Sequence, residues 1–173
     1  HDCYKGHSVV ISALALVRKQ YPDLQYYIVG DGELISELKS LTNNLNLQEN
    51  VHFLGFLEDS LLPDVFSQCD IFAMPSKGEG FGIVFLEALA CGKPVLAGNL
   101  DGSRDALADG ELGVLVDPDD IMEIAREIIL VLQRRHRHPY LYEPEKLRQR
   151  AIELLGFDSF KKRLDECLSS VFK

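Results

Sequence analysis

Residues 75–94 read Pro75-Ser76-Lys77-Gly78-Glu79-Gly80-Phe81-Gly82-Ile83-Val84-Phe85-Leu86-Glu87-Ala88-Leu89-Ala90-Cys91-Gly92-Lys93-Pro94. Glycines at 78, 80 and 82 make the first part a loop in which backbone can approach another group closely. From about Gly82 to Ala90 the residues read as a helix. The apolar run Asp70–Met74 before the loop reads as a strand, and Pro94–Ala97 after the helix reads as another. Strand, loop, helix and strand in this order are the local form of an alternating β/α chain.

Working outward, the alternation continues. Ser8–Lys19 has helical spacing through Val9, Val10, Ala13, Leu16 and Val17, and Tyr21-Pro22-Asp23 stops it. A strand over Leu24–Val29 ends at Gly30-Asp31-Gly32, a helix follows over Leu34–Leu45, and Val51–Leu54 is the next strand. A short helix is expected around Leu62–Gln68, a last strand at Gly113–Val116, and a long amphipathic helix over Asp119–Arg134. The strands are continuously apolar rather than alternating, which predicts a Rossmann-like parallel sheet with helices on both faces. Ligands of such sheets sit outside the carboxyl ends of the strands. Gly30–Gly32, Gly55-Phe56, Pro75–Gly80 and Gly98–Gly102 all fall there, so loops distant in sequence can build one cleft.

Only His1–Gly6 precede the first helix, whereas an open doubly wound sheet has a strand near its middle at that point. The chain is therefore expected to be cut from something longer and to lack its first strand and loop. Residues 145–155 and 157–171 read as terminal helices broken at Gly156, and the stripe Phe160, Leu164, Leu168, Val171 is expected to cover apolar surface. The domain expectation is one unit over 1–173, with a core of about 5–135 and terminal helices over about 145–172.

At 173 residues and 46% hydrophobic, the chain can bury roughly 70% of its unfolded surface, enough for one core. A formal charge of −9 argues against nucleic acid as a partner. The one basic knot, Arg134-Arg135-His136-Arg137-His138, reads first as a solvated helix end, with contact to acidic lipid or a partner as the alternative. Cys3, Cys69, Cys91 and Cys167 have no close pairing and no histidines at metal-ligand spacing; reduced, mostly buried thiols and no metal are expected. No apolar stretch reaches 18 residues and no signal-peptide core is present, which leads to a soluble cytoplasmic chain that another domain can hold at a membrane periphery.

The glycine-rich loop carries the chemistry. The helix after Gly82 presents unpaired N–H groups and the positive end of its dipole, a site for phosphate. Glu79 lies before that terminus and Glu87 inside the helix, so the two carboxylates suit opposite ends of a ligand with a diphosphate between them, as in a nucleoside diphosphate sugar. An ionised Glu87 can accept from both hydroxyls of a ribose, and Glu79 would meet those of the transferred group. The plainer alternatives are that Glu79 stabilises its own helix terminus and that Glu87 faces solvent. Phe85, Leu86, Ala88 and Leu89 surround Glu87, and a buried carboxylate there would need a partner. Lys5, in Lys5-Gly6-His7, can reach a diphosphate as a point charge or can simply fray.

Glu79 through Glu87 resembles the Glu-x7-Glu signature of retaining glycosyltransferases of family 4, which have the two-domain GT-B fold. Lys5-Gly-His7, Tyr27-Ile-Val-Gly-Asp-Gly-Glu33, Val51-His-Phe-Leu-Gly-Phe56, Pro75-Ser76, Glu87–Val95 and Gly110–Pro118 resemble family segments in the same order, over about residues 5–135. The resemblance implies the C-terminal half, which binds the donor, while a separate N-terminal half binds a sugar, glycan or lipid-linked glycan acceptor. It implies that Glu79 contacts sugar hydroxyls and acts in catalysis, that Glu87 holds the ribose, and that backbone at Gly80, Phe81, Gly82, Ile83 and Val84, helped by Lys5, holds diphosphate and sugar. Backbone near Phe56 would border the base.

The donor implied is a UDP-, GDP- or ADP-sugar, the reaction is hexosyl transfer with retention at the anomeric carbon, and neither cofactor nor metal is implied. Two features depart from the family pattern. The sequence begins too late to contain the Gly-Arg pair that usually stands shortly before the lysine, and the Gly-Gly-x-x-Glu loop appears as Asp101-Gly-Ser-Arg-Asp105. Weak donor binding and no turnover by the chain alone are expected. Other readings are a non-catalytic sugar-nucleotide module and a GT-B epimerase or phosphorylase relative. A dinucleotide-binding domain is disfavoured because Gly30-Asp-Gly32 continues as Glu33-Leu-Ile35, with no glycine at the third position.

Overall fold

The computed structural model of the chain describes residues 5–171, so Cys3 and the side chain of Val171 lie outside the described residues. In chain order it contains α1 (His7–Val17), β1 (Tyr26–Val29), α2 (Ile35–Asn44), β2 (Val51–Gly55), α3 (Leu62–Gln68), β3 (Phe72–Met74), α4 (Ile83–Ala90), β4 (Val95–Gly98), α5 (Ser103–Ala106), β5 (Val114–Val116), α6 (Ile121–Leu132), α7 (Pro144–Leu155) and α8 (Phe157–Val171). The β/α alternation is the one the sequence predicts. The single turn α5 was not anticipated, since four residues, Ser103-Arg-Asp-Ala106, are too few to show a helical period.

Among the described residues the named strands pair in parallel, an isolated antiparallel bridge joins Gly30 to Gly55, and helices flank the strands in a Rossmann-like arrangement. β1 lies beside β2, with Tyr26 opposite Val51, and β3, β4 and β5 run side by side, with Phe72 opposite Val95 and Ala97 opposite Leu115. The strands form two sheets rather than one. A groove of about 1980 Å³ runs between them, and its lining includes Ile28 and Val29 from β1, and Phe72 and Met74 from β3. Each bordering strand is paired on its other side only, to β2 or to β4.

Two apolar clusters hold the body together. In the first, α1 buries Val10, Ile11, Ala13, Leu14 and Val17 beside α6, which contributes Ile124, Ala125, Ile128 and Val131. Asp120 starts α6 by accepting from the Met122 and Glu123 N–H groups at 2.9 Å, a cap that contributes about 1 kcal/mol. In the second, Phe85, Ala88 and Leu89 of α4 pack with β4 and with Leu147 and Ala151 of α7. The Phe72 ring meets Phe66 and Phe85 edge-on, with centroids 5.5 and 6.0 Å away.

After Gly156 the chain enters α8, which packs against α7 and leaves Phe157 (77%), Phe160 (53%), Leu164 (45%) and Leu168 (47%) exposed. The expectation that this stripe covers apolar surface is not met within the described residues. The basic knot behaves as a helix end: the Arg134 guanidinium lies over the Tyr142 ring, 5.2 Å from its centroid, and His136 Nε2 is 3.3 Å from Glu127. Cys69 and Cys91 are free and half-buried, whereas Cys167 is free and exposed, unlike the buried thiols expected. Among the described residues, no helix is long and apolar enough to cross a membrane and no cluster of metal-ligating side chains occurs.

Candidate functional site

The loop from Pro75 to Gly82 leaves the carboxyl end of β3 and is held by the loop leaving β4. Asp101 does most of this. One carboxylate oxygen accepts from the Ser76 hydroxyl at 2.9 Å and from the Glu79 N–H at 2.8 Å, and the other accepts from the Ser103 N–H at 3.0 Å. Ser76 and Ser103 are fully buried, with their hydroxyls 2.9 Å apart. The Gly102 N–H donates to the Glu79 carbonyl at 3.0 Å. A Cβ on Gly102 would lie 2.0 Å from the Gly80 carbonyl oxygen, so glycine is required for the two loops to touch. Partial burial pushes the Asp101 carboxyl up, but hydrogen bonds from Ser103, the Glu79 N–H and Ser76 outweigh it and hold its pKa below the ordinary value.

This frame sets Glu79. Its carboxylate is 17% exposed, with Oε2 3.0 Å from Lys5 Nζ and Oε1 accepting from the Gly80 N–H at 3.2 Å. Lys5 is brought in by Gly6, whose left-handed φ of 78° opens α1 and at which a Cβ would lie only 2.2 Å from the Pro75 carbonyl oxygen. Lys5 is thus paired, not frayed. The helix-terminus alternative for Glu79 also fails in its simple form, because the carboxylate bonds Gly80 and Lys5 while no side chain caps α4.

Gly82 introduces α4 at φ 85°, and a Cβ there would strike the buried Phe85 ring at 2.4 Å. Phe85 is therefore packed directly beneath the turn, fixing the direction of α4. The first-turn N–H groups at Ile83 and Val84 have no side-chain cap. Phe81 and Ile83 expose 37% and 69% of their surface.

Glu87 is exposed and has no side-chain partner among the described residues. The argument that it would need a partner if buried therefore does not apply, and its two oxygens are available to a ligand. Phe56, 74% exposed, follows β2 at the other sheet, where the Gly30 N–H donates to the Gly55 carbonyl at 2.7 Å and ties the two strand ends together. The groove between the sheets is lined at this level by Lys5, Gly30, Asp31, Gly32 and Val84. The structure thus brings Lys5, Glu79 and Gly80–Val84 into one site, leaves Glu87 on the same helix facing solvent, and sets Phe56 on the neighbouring strand pair. Sequence reasoning missed the supporting roles of Ser76, Ser103 and Asp101; the one signal was the departure at Asp101, read there as an altered loop.

The chain belongs to the glycosyl transferases group 1 family, whose model matches residues 2–168. It is a domain of the GT-B glycosyltransferase type. It is 36% identical over 131 residues to the GDP-mannose-dependent alpha-(1-6)-phosphatidylinositol monomannoside mannosyltransferase of Mycolicibacterium smegmatis, an alignment covering 72% of this chain and 34% of that protein. Its structure is similar to Anabaena HepE in complex with UDP, at 29% identity and a TM-score of 0.80 over 96% of this chain and 46% of HepE. It is also similar to the C-terminal domain of a glycosyl transferase group 1 family protein (LpcC) of Francisella tularensis, at 26% identity and a TM-score of 0.70 over 83% of this chain and 77% of that domain. The chain spans about a third of the length of the curated relatives it matches.

Proposed function

We propose that this chain is the C-terminal, donor-binding half of a retaining hexosyltransferase of family 4, a full-length enzyme that moves a hexose from a UDP-, GDP- or ADP-sugar to a sugar, glycan or lipid-linked glycan acceptor, and that the chain does not turn over alone. Residues 5–135 form the nucleotide-sugar-binding core, and an N-terminal half supplies the acceptor site. The observation that carries this reading is the Lys5–Glu79 pair standing beside the uncapped start of α4. Cation, carboxylate and free N–H groups converge there, as a diphosphate joined to a sugar requires. The likeness to HepE with UDP and to a domain described as C-terminal supports the same reading.

In this mechanism the diphosphate lies against the N–H groups of Gly82, Ile83 and Val84, where the α4 dipole and Lys5 offset the charge that grows as the anomeric C–O bond breaks. Glu79 turns its carboxylate to the sugar hydroxyls, Glu87 accepts from the ribose diol, and backbone near Phe56 borders the base. The acceptor hydroxyl oxygen bonds to the anomeric carbon on the face the diphosphate leaves and its proton passes to the departing phosphate oxygen, which gives retention.

Calorimetric titration with UDP, GDP and ADP and their common sugar conjugates tests the reading, with Glu87→Gln run in parallel. Binding selective for one base and weakened in the variant is expected. No binding of any of them at millimolar ligand by the full-length protein would rule the nucleotide-sugar reading out.

A further inference from the structure

Where the family's loop has a glycine, this chain has Asp101, and that side chain has a specific job. All its hydrogen bonds run to residues of the two facing loops: Ser76 Oγ at 2.9 Å, the Glu79 N–H at 2.8 Å and the Ser103 N–H at 3.0 Å. Its neighbour Gly102 donates to the Glu79 carbonyl at 3.0 Å. Both polar groups of the Glu79 peptide backbone are therefore held by two consecutive residues. A carboxylate in this position, with one oxygen accepting two donors, contributes more than a neutral acceptor would.

We propose that Asp101 is a positioning residue for Glu79: by gripping the Glu79 N–H it fixes the backbone from which the carboxylate turns to the sugar, so that the protein prefers a nucleoside diphosphate sugar over the bare nucleoside diphosphate. Asp101 itself does not touch the ligand, because both its oxygens are spent within the loops. This inference rests on the donor-binding reading above. It reverses the sequence expectation that the Asp101–Asp105 departure weakens the site, since the altered residue supplies a restraint that glycine lacks.

A merely structural staple would change the affinities for the sugar conjugate and the bare nucleotide together; a positioning residue changes their ratio. The test measures Kd for UDP against UDP-glucose and GDP against GDP-mannose in the full-length protein and in Asp101→Asn, with thermal melting of both. Asn keeps one accepting oxygen and loses the charge. The expected result is a loss of about tenfold for the preferred sugar conjugate, corresponding to one charge-assisted hydrogen bond, with its bare nucleotide within about twofold. Ser76→Ala, which removes one donor to the same oxygen and leaves the Glu79 bond in place, should shift the ratio in the same direction by less. It also serves if Asp101→Asn melts out. An unchanged ratio in whichever variant stays folded overturns the proposal while leaving donor binding intact. Failure of the unsubstituted protein to bind either pair overturns the donor-binding reading and this inference with it.

Discussion

Lys5 and Glu79, 74 residues apart in the chain, meet at 3.0 Å across the mouth of the loop that leaves β3. The two side chains are 30% and 17% exposed, so they remain reachable by a ligand while partly shielded from water. A cation and an anion that satisfy each other in the free protein are each suited to a different part of a sugar nucleotide. On the proposed donor-binding reading the pair opens when the donor enters, with the ammonium turning to phosphate and the carboxylate to hydroxyls.

Substitutions at the two ends should therefore separate. Lys5→Ala should weaken a bare nucleoside diphosphate and its sugar conjugate alike, by about tenfold each, since a point charge to phosphate is lost from both. Glu79→Gln should leave the bare nucleotide nearly unchanged, or slightly tighter because Lys5 is released, and weaken only the conjugate. Calorimetry on both variants checks this; parallel losses in Glu79→Gln would show that its carboxylate does not face the sugar.

The loop's shape depends on what lies beneath and beside it. Phe85 is fully buried under Gly82, and Phe85→Ala should cost about 3–5 kcal/mol, the range for removing a buried aromatic ring. Gly102→Ala places a methyl 2.0 Å from the Gly80 carbonyl and must push the two loops apart. Urea denaturation should show a large loss of stability for the first. The second should show a smaller loss of stability together with a clear loss of donor affinity.

These local features explain how far the sequence could be read. Strands such as Val95–Gly98 and helices such as Ile121–Leu132 announce themselves by apolar period, and the loop between Pro75 and Gly82 by its glycines, so the alternating parallel fold and the place of that loop in it were both legible. The pairing of Lys5 with Glu79 was not, because it depends on Gly6 closing against Pro75, a contact between segments about 70 residues apart that no local pattern encodes. Asp101 was invisible as a support for the same reason: its partners Ser76 and Glu79 lie 25 and 22 residues away. The exposure of Glu87, one of the readings the sequence leaves open, is not decided there, since an α-helix with apolar residues on either side in sequence still has one face toward water.

The α8 stripe is a separate consequence of sequence period. Phe157, Phe160, Leu164 and Leu168 recur at helical spacing yet are 45–77% exposed, an apolar face of the kind that binds dyes and neighbours. Replacing Phe160 and Leu164 with Ser should reduce ANS fluorescence and self-association of this chain at high concentration. Its melting temperature should shift by no more than a surface change allows, because neither side chain belongs to the core clusters. Unchanged ANS binding would mean that the stripe is not the accessible apolar surface.

A last expectation concerns pH, where two groups act with the same sign in different windows. Burial lowers the pKa of His138 below its ordinary 6.5, partly countered by its Nε2–H donating to the Gly110 carbonyl at 3.1 Å, while Nδ1 accepts from the Tyr140 N–H. The unfolded chain therefore binds the proton first. The stability due to neutral His138 is complete above pH 6.5 and is lost as pH falls through the lowered value in the folded protein. Asp101, also held below its ordinary 3.8, adds stability that is complete above that value and is lost only in stronger acid. Thermal melting should accordingly show two falls, one beginning just below neutrality and one below about pH 4. In His138→Gln, which keeps a donor for the Gly110 carbonyl but does not titrate, the upper fall should flatten while the lower one stays. In Asp101→Asn the lower fall should be the one that shrinks. A melting curve whose upper arm is unchanged in His138→Gln would assign that arm to other groups and remove the His138 loop from the account of acid sensitivity.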